Sequence, residues 1–98
     1  MPRIELAGAI GDDFERILEH LARYDVRKPA SRVEEILESI DVLKRSPMIG
    51  RPLPSGLREL IIGRGSRGYT ALYRYVAESD VVFVLAIRSQ REAGYSNV

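Results

Sequence analysis

Few side chains in this chain of 98 residues can change protonation near neutral pH, and that scarcity bounds its chemistry. His20 is the one histidine and cysteine is absent. Thiolate nucleophiles, disulfides and His/Cys metal clusters are excluded together. Three and four positions from His20 stand Ile17, Arg23, Arg16 and Tyr24. No carboxylate on its own helix can orient it, so it reads as a partly solvated surface residue. The carboxylates of the second half, Glu59, Glu78, Asp80 and Glu92, are scattered between strand-like runs and turns, a poor basis for a glycosidase-type pair. Gly63, Gly65 and Gly68 imitate a glycine-rich phosphate loop, but no helix follows to complete the cradle. Neither a metal nor a cofactor is expected.

Arginine is the more informative residue. Arg51, Arg58, Arg64, Arg67, Arg74, Arg88 and Arg91 all fall after residue 46, without a single lysine, and Tyr69, Tyr73, Tyr75 and Tyr95 are interleaved with them. Residues 1–46 carry eight Lys/Arg against ten Asp/Glu, a balance of −2, whereas residues 47–98 carry seven Arg against four Asp/Glu, a balance of +3. Planar guanidiniums bind phosphate or carboxylate bidentately and stack on rings, so Arg with Tyr on one sheet face suits nucleic acid or an acidic protein. Parity gives the other reading: Tyr69, Tyr73 and Tyr75 share a strand face with Ala71, opposite Arg74 and Leu72, and would fill the core.

These residues need a scaffold. Ile4 and Leu6 alternate with Arg3 and Glu5, the pattern of a short strand over residues 2–7. Ile10, Phe14, Ile17, Leu18, Leu21 and Tyr24 form a helical stripe over about residues 9–25, with Asp12, Asp13 and Glu15 in a first turn that favours negative charge. Pro29 opens a second helix with the stripe Val33, Ile36, Leu37, Ile40 and Leu43, closed by Lys44, Arg45 and Pro47. Three prolines and two glycines make residues 46–56 a loop. Strand-like runs follow at 57–63, 69–76 and 81–87, the last apolar on both faces and therefore interior. The order predicts one domain over residues 1–98, an α+β fold in which a helix hairpin packs on a mostly antiparallel four-stranded sheet, β-α-α-β-β-β. A core this small leaves room for a partner to add stability. No run has the length of a membrane span, and Met-Pro-Arg-Ile-Glu-Leu lacks the apolar centre of a signal peptide, so a cytoplasmic protein is expected.

Four segments carry a resemblance across most of the chain: Ile49-Gly50-Arg51-Pro52, Gly56-Leu57-Arg58-Glu59-Leu60, Tyr73-Arg74-Tyr75, and Val84-Leu85-Ala86-Ile87-Arg88 with Gln90-Arg91-Glu92-Ala93-Gly94-Tyr95. Together they resemble the ParE/RelE superfamily of toxins from type II toxin-antitoxin systems, closest to its ParE, plasmid-stabilisation, branch. The resemblance implies a small bacterial toxin that poisons DNA gyrase and is neutralised in a hetero-oligomeric complex with a ParD-like antitoxin. RelE-type relatives instead cut mRNA on the ribosome. By that likeness Arg88 and Tyr95 match the nuclease's strand-end arginine and C-terminal aromatic, with Arg64, Arg67 or Arg74 as sheet cations. Many relatives carry His where this chain has Ser89, and neither arginine nor tyrosine is a good proton carrier at pH 7. The expectation is therefore a binder and not an enzyme, the alternatives being a RelE-like mRNA endonuclease or a degenerate toxin that keeps only antitoxin binding. Arg58, Arg64, Arg67, Arg88, Arg91 and Tyr95 are the expected target-binding residues. Phe14, Leu18, Leu21, Tyr24, Ile36, Ile40, Met48, Ile49 and Leu53 are the expected antitoxin contacts, being more apolar surface than a small core encloses.

Overall fold

The computed structural model describes residues 1–23, 29–63 and 68–90. Strand β1 (Arg3–Leu6) leads to helix α1 (Ala9–Arg23), and α2 (Pro29–Asp41) tightens into a 3-10 turn over Val42–Lys44. Strand β2 (Arg51–Pro52), a 3-10 turn at Pro54–Gly56, and strands β3 (Arg58–Ile62), β4 (Tyr69–Val76) and β5 (Val81–Ser89) complete the order. The strands lie as β1-β5-β4-β3-β2, with β1 parallel to β5 and the other pairs antiparallel. The α+β expectation holds, on a mixed sheet of five strands where four were expected. The added strand lies within the expected loop: an edge tolerates Pro52, which lacks a donor, and Arg51 and Pro52 pair with Glu59 and Arg58. Ser55 and Gly56, both at positive φ, turn the chain back, and Leu53 N donates to Leu57 O at 2.8 Å.

One face of the sheet is covered by both helices. Ile10, Ile17 and Leu21 of α1, with Ile36 and Ile40 of α2, pack on Ile62, Tyr69, Ala71, Tyr73, Val82, Val84 and Ile87. Strand β5 is interior, as its two-faced apolar run requires, with Val81 and Ala86 buried on the face away from the helices.

A bulge in β5 sets which side chains reach which face. Leu72 pairs with Ala86 but Tyr73 pairs with Val84, so Leu85 is an extra residue in the ladder. Simple alternation from Val82 and Val84 would send Arg88 into the helices. The inserted residue reverses parity, placing Ile87 in the core and Arg88, opposite Thr70, on the other face.

The bulge lies where β1 ends, since Leu6 pairs with Val84 and β1 reaches no further. Two side chains of α1 take over as partners of β5. Ile87 N donates to Asp13 Oδ2 at 2.9 Å, Arg16 Nη2 donates to Ile87 O at 3.0 Å, and Arg16 Nη1 bonds Asp13 Oδ1 at 2.7 Å. Asp13 is fully buried. Its expected role as a first-turn charge is corrected: Asp12 fills that place, while Asp13, three residues after Ile10 and four before Ile17, faces the core.

Replacing Asp13 by Ala strips the acceptor from both the Ile87 amide and the Arg16 guanidinium. Removing one partner of a buried pair is strongly destabilising, so urea denaturation of D13A should show a loss of about 3 kcal/mol. A loss below about 0.5 kcal/mol, the range of an ordinary surface change, would show the clamp to be dispensable.

Candidate functional site

The face turned away from the helices carries the arginines. Strand pairing places Arg51, Glu59, Leu72 and Ala86 side by side across four strands, with Thr70 and Arg88 one step along, and Arg74 on the same face of β4. Glu59 is buried. Arg51 Nη2 donates to its Oε1, and Arg88 Nη2 lies 3.9 Å from its Oε2. The side chains of Arg51 and Arg88 remain 63% and 20% exposed, and Arg74 is exposed. Arg88 Nη1 also donates to Ser89 O at 3.2 Å. Two guanidiniums on one recessed carboxylate leave a net positive charge. A net positive charge of this kind attracts anions.

A second feature borders it. Tyr73, buried among the core residues, accepts a hydrogen bond at its hydroxyl from Gly50 N at 2.8 Å and donates to Pro47 O at 2.8 Å. Arg58, paired opposite Tyr73, donates through Nη1 to Met48 O at 2.9 Å and Gly50 O at 2.8 Å. The backbone of residues 47–50 is thus held at four points, while the side chains of Met48 and Ile49 stand 57% exposed. Gly50 is required by close approach, since a Cβ there would lie 2.5 Å from the Tyr73 ring. Burial pushes the Tyr73 phenol above its ordinary pKa, against the opposing pull of the Gly50 amide and the Arg58 charge. Tyr75 is raised as well, chiefly by the hydrogen bond it donates to Asp80 Oδ1 at 2.7 Å.

The expected site residues divide. Arg88 and Arg74 share the face turned away from the helices. Arg58, expected among the target-binding residues, lies on the Tyr73 side, where its guanidinium is engaged by the loop carbonyls. Arg64, Arg67, Arg91, Tyr95 and Tyr24 lie outside the described residues. Among the expected antitoxin contacts, Met48 and Ile49 are exposed and Phe14, Leu18 and Leu53 half-buried. Leu21, Ile36 and Ile40 are corrected, because the molecule's own core encloses them. Tyr69 and Tyr73 are core residues, and His20 is exposed on α1. Sequence reasoning missed Glu59 as the carboxylate joining Arg51 to Arg88. It also missed a groove of about 440 Å³ between α2 and the sheet, with Ile36, Val42, Ile62 and Tyr69 in its lining. A carboxylate within the apolar alternation of β3 was the available signal for the first. The exposed Val42 follows from the 3-10 turn, which a helical stripe does not reveal.

The ParE toxin family, described as the ParE toxin of the type II toxin-antitoxin system parDE, matches residues 4–94. Among solved structures, the chain is similar to the chromosomal ParDE toxin-antitoxin system of P. aeruginosa, with TM-score 0.74, 22% identity, and 91% of this chain and 96% of that one covered. The toxin-antitoxin complex RelBE2 of Mycobacterium tuberculosis is similar with TM-score 0.59 and 22% identity, covering 92% of this chain and 100% of that one. An arginine-to-alanine mutant of the E. coli toxin RelE in the free state gives TM-score 0.55 and 13% identity, covering 94% and 86%. At these identities the likeness shows the fold. No curated protein matches the chain.

The Tyr73 anchor has a pH signature. A phenol whose folded pKa is raised contributes stability that is intact below its unfolded value of about 10 and is lost as pH climbs through the folded one. Tyr73→Phe leaves the Gly50 amide and Pro47 carbonyl without this partner, at an expected cost of about 1–3 kcal/mol at pH 8. The same variant should lose less stability than the parent as pH is raised above about 10. Denaturant melts across that range measure both, and an unchanged alkaline slope would refute the role of the Tyr73 hydroxyl.

Proposed function

The chain belongs to the ParE toxin family of type II toxin-antitoxin systems, and on that premise we propose that it inhibits DNA gyrase by binding and is neutralised by a ParD-like antitoxin. The observation carrying this reading is the composition of the arginine face. Its cations, the exposed Arg51 and Arg74 and the half-buried Arg88, are suited to binding anions, as in a poison that holds its target and does not cut a substrate. Ser89 strengthens the point, for it stands beside Arg88 where a proton-carrying side chain would sit in a nuclease. Arg64, Arg67, Arg91 and Tyr95, outside the described residues, are also assigned to target binding in this proposal.

The antitoxin takes the apolar positions the core leaves outside. Met48 and Ile49 offer two anchors on a backbone already fixed by Tyr73 and Arg58, so little conformational entropy is lost when they are covered. Phe14 and Leu18 of α1, with Leu53, complete this surface, and the groove beside Val42 and Ile62 accepts an amphipathic segment running along α2.

Two assays on one preparation test the target. Gyrase supercoiling should be inhibited by stoichiometric toxin, and Arg88→Ala should raise the half-inhibitory concentration by about tenfold, the equivalent of one lost charge-assisted contact. Ribosome-programmed mRNA should stay intact. Cut mRNA with normal supercoiling would establish the RelE-like nuclease instead, and no effect in either assay, with antitoxin binding retained, would mark a degenerate toxin. Replacing Met48 and Ile49 together by Asp should weaken antitoxin binding by at least about tenfold in calorimetry while thermal stability holds. Unaltered affinity would remove the loop from the interface.

A further inference from the structure

We propose that Glu59 is a positioning residue that aims Arg51 and Arg88 at one extended polyanion, the phosphodiester backbone of DNA in the target complex, and that Arg51 is a contact residue of that site. The inference rests on the reading of the arginine face as the target surface and adds two residues to it.

The argument begins with where the carboxylate sits. Glu59 is buried in β3 beside Leu72, where an ionised group loses its hydration and needs cations to compensate. They come from opposite sides: Arg51 from the edge strand β2, and Arg88 from β5, two strands away. As a stabilising device the arrangement is inefficient, because an apolar residue at a buried ion-pair position is often as good or better. What the carboxylate does supply is direction. Each guanidinium turns one edge to Glu59, and the planar fork then has a fixed orientation for its remaining donors. On Arg51 that matters most, since its side chain is 63% exposed on a strand of two residues that does little else to restrain it.

The ligand follows from the layout. The backbones of Arg51 and Arg88 stand three strand spacings apart, about 14 Å, their guanidiniums converge on Glu59, and Arg74 adds a third cation from β4, one of the two strands between them. A lone carboxylate, as Glu59 shows, engages the Arg51–Arg88 pair and leaves Arg74 unmet. A nucleic-acid backbone offers a line of anions at repeating intervals and engages the row. Glu59, being recessed, holds the row without presenting its own charge to the incoming phosphates.

Positioning and simple charge balance predict opposite signs. Glu59→Gln raises the positive charge of the face by one. If Glu59 were only a counter-charge, this variant would bind DNA more tightly. If it aims the arginines, the variant binds more weakly. The probe is a fluorescent 20-base-pair DNA duplex, titrated by anisotropy at two salt concentrations, with gyrase inhibition measured on the same proteins. Arg51→Ala and Arg88→Ala should each weaken duplex binding about fivefold or more and lower the salt slope by about one. Glu59→Gln should weaken it comparably, and tighter binding by this variant overturns the proposal. Should Glu59→Gln fail to fold, judged by thermal melting, Arg51→Lys serves in its place: it keeps the charge and loses the fork. Weakening by Arg51→Lys supports the proposal, and wild-type affinity overturns it. Gyrase inhibition lost in Arg88→Ala but intact in Arg51→Ala overturns this inference alone. Inhibition unaffected by Arg88→Ala overturns the underlying reading. A wild-type protein that inhibits gyrase yet shows no salt-dependent duplex binding assigns the arginines to carboxylates of the enzyme and overturns the DNA ligand.

Discussion

The contact of α1 with the backbone of Ile87 is the constraint from which the arrangement of this molecule follows. Strand β1 covers the flank of β5 only as far as Val84, and the bulge at Leu85 comes immediately after. A strand whose parity has just been reversed needs something to hold the new register, because slipping by one residue would exchange its two faces. Asp13 and Arg16 supply it: a carboxylate and a guanidinium bind the amide and carbonyl of one residue as a neighbouring strand would. The clamp keeps Ile87 in the core and leaves Arg88 on the outer face.

The segments by which the chain resembles its relatives turn out to be largely architectural. Gly50 is the residue small enough to lie against the Tyr73 ring, and Arg58 and Tyr73 together hold the loop that carries Met48 and Ile49. Gly56 completes the turn at positive φ that returns β2 to β3. Gln90 closes the far end of the β4–β5 pair, its amide N donating to Gly68 O at 3.0 Å. This framework leaves other side chains projecting, an apolar pair at one edge and guanidiniums across one face.

Periodicity was a sound guide wherever one rule governed a segment. Helix α1, with its stripe from Ile10 to Leu21, and the limits of β4 were legible, as was the interior position of β5. It failed where two requirements met. Asp13 satisfies both a first-turn preference and a core-facing period, and only the packing of α1 on β5 decides between them. Leu85 is as apolar as its neighbours, so nothing in its type announces an extra residue in the ladder. Strand β2 was hidden because prolines disqualify most strands but not an edge of two residues. For the site, residue type disclosed the arginines while partnership did not: Arg58 and Arg88 look alike in sequence, and one is consumed by loop carbonyls while the other faces outward.

Among the described residues the first strand pairs with the last, which has a consequence for biosynthesis. Asp13 and Ile87 are separated by 74 positions, and β1 finds its partner only in β5. Contacts of such long range make folding slow compared with a helical bundle and postpone the cooperative step until nearly all of this sequence has been translated. A nascent fragment, however helical, presents neither the Arg51–Arg88 face nor the anchored Met48–Ile49 loop in finished form. In a protein of this family, topology thus ties the finished surface to the pairing of β1 with β5.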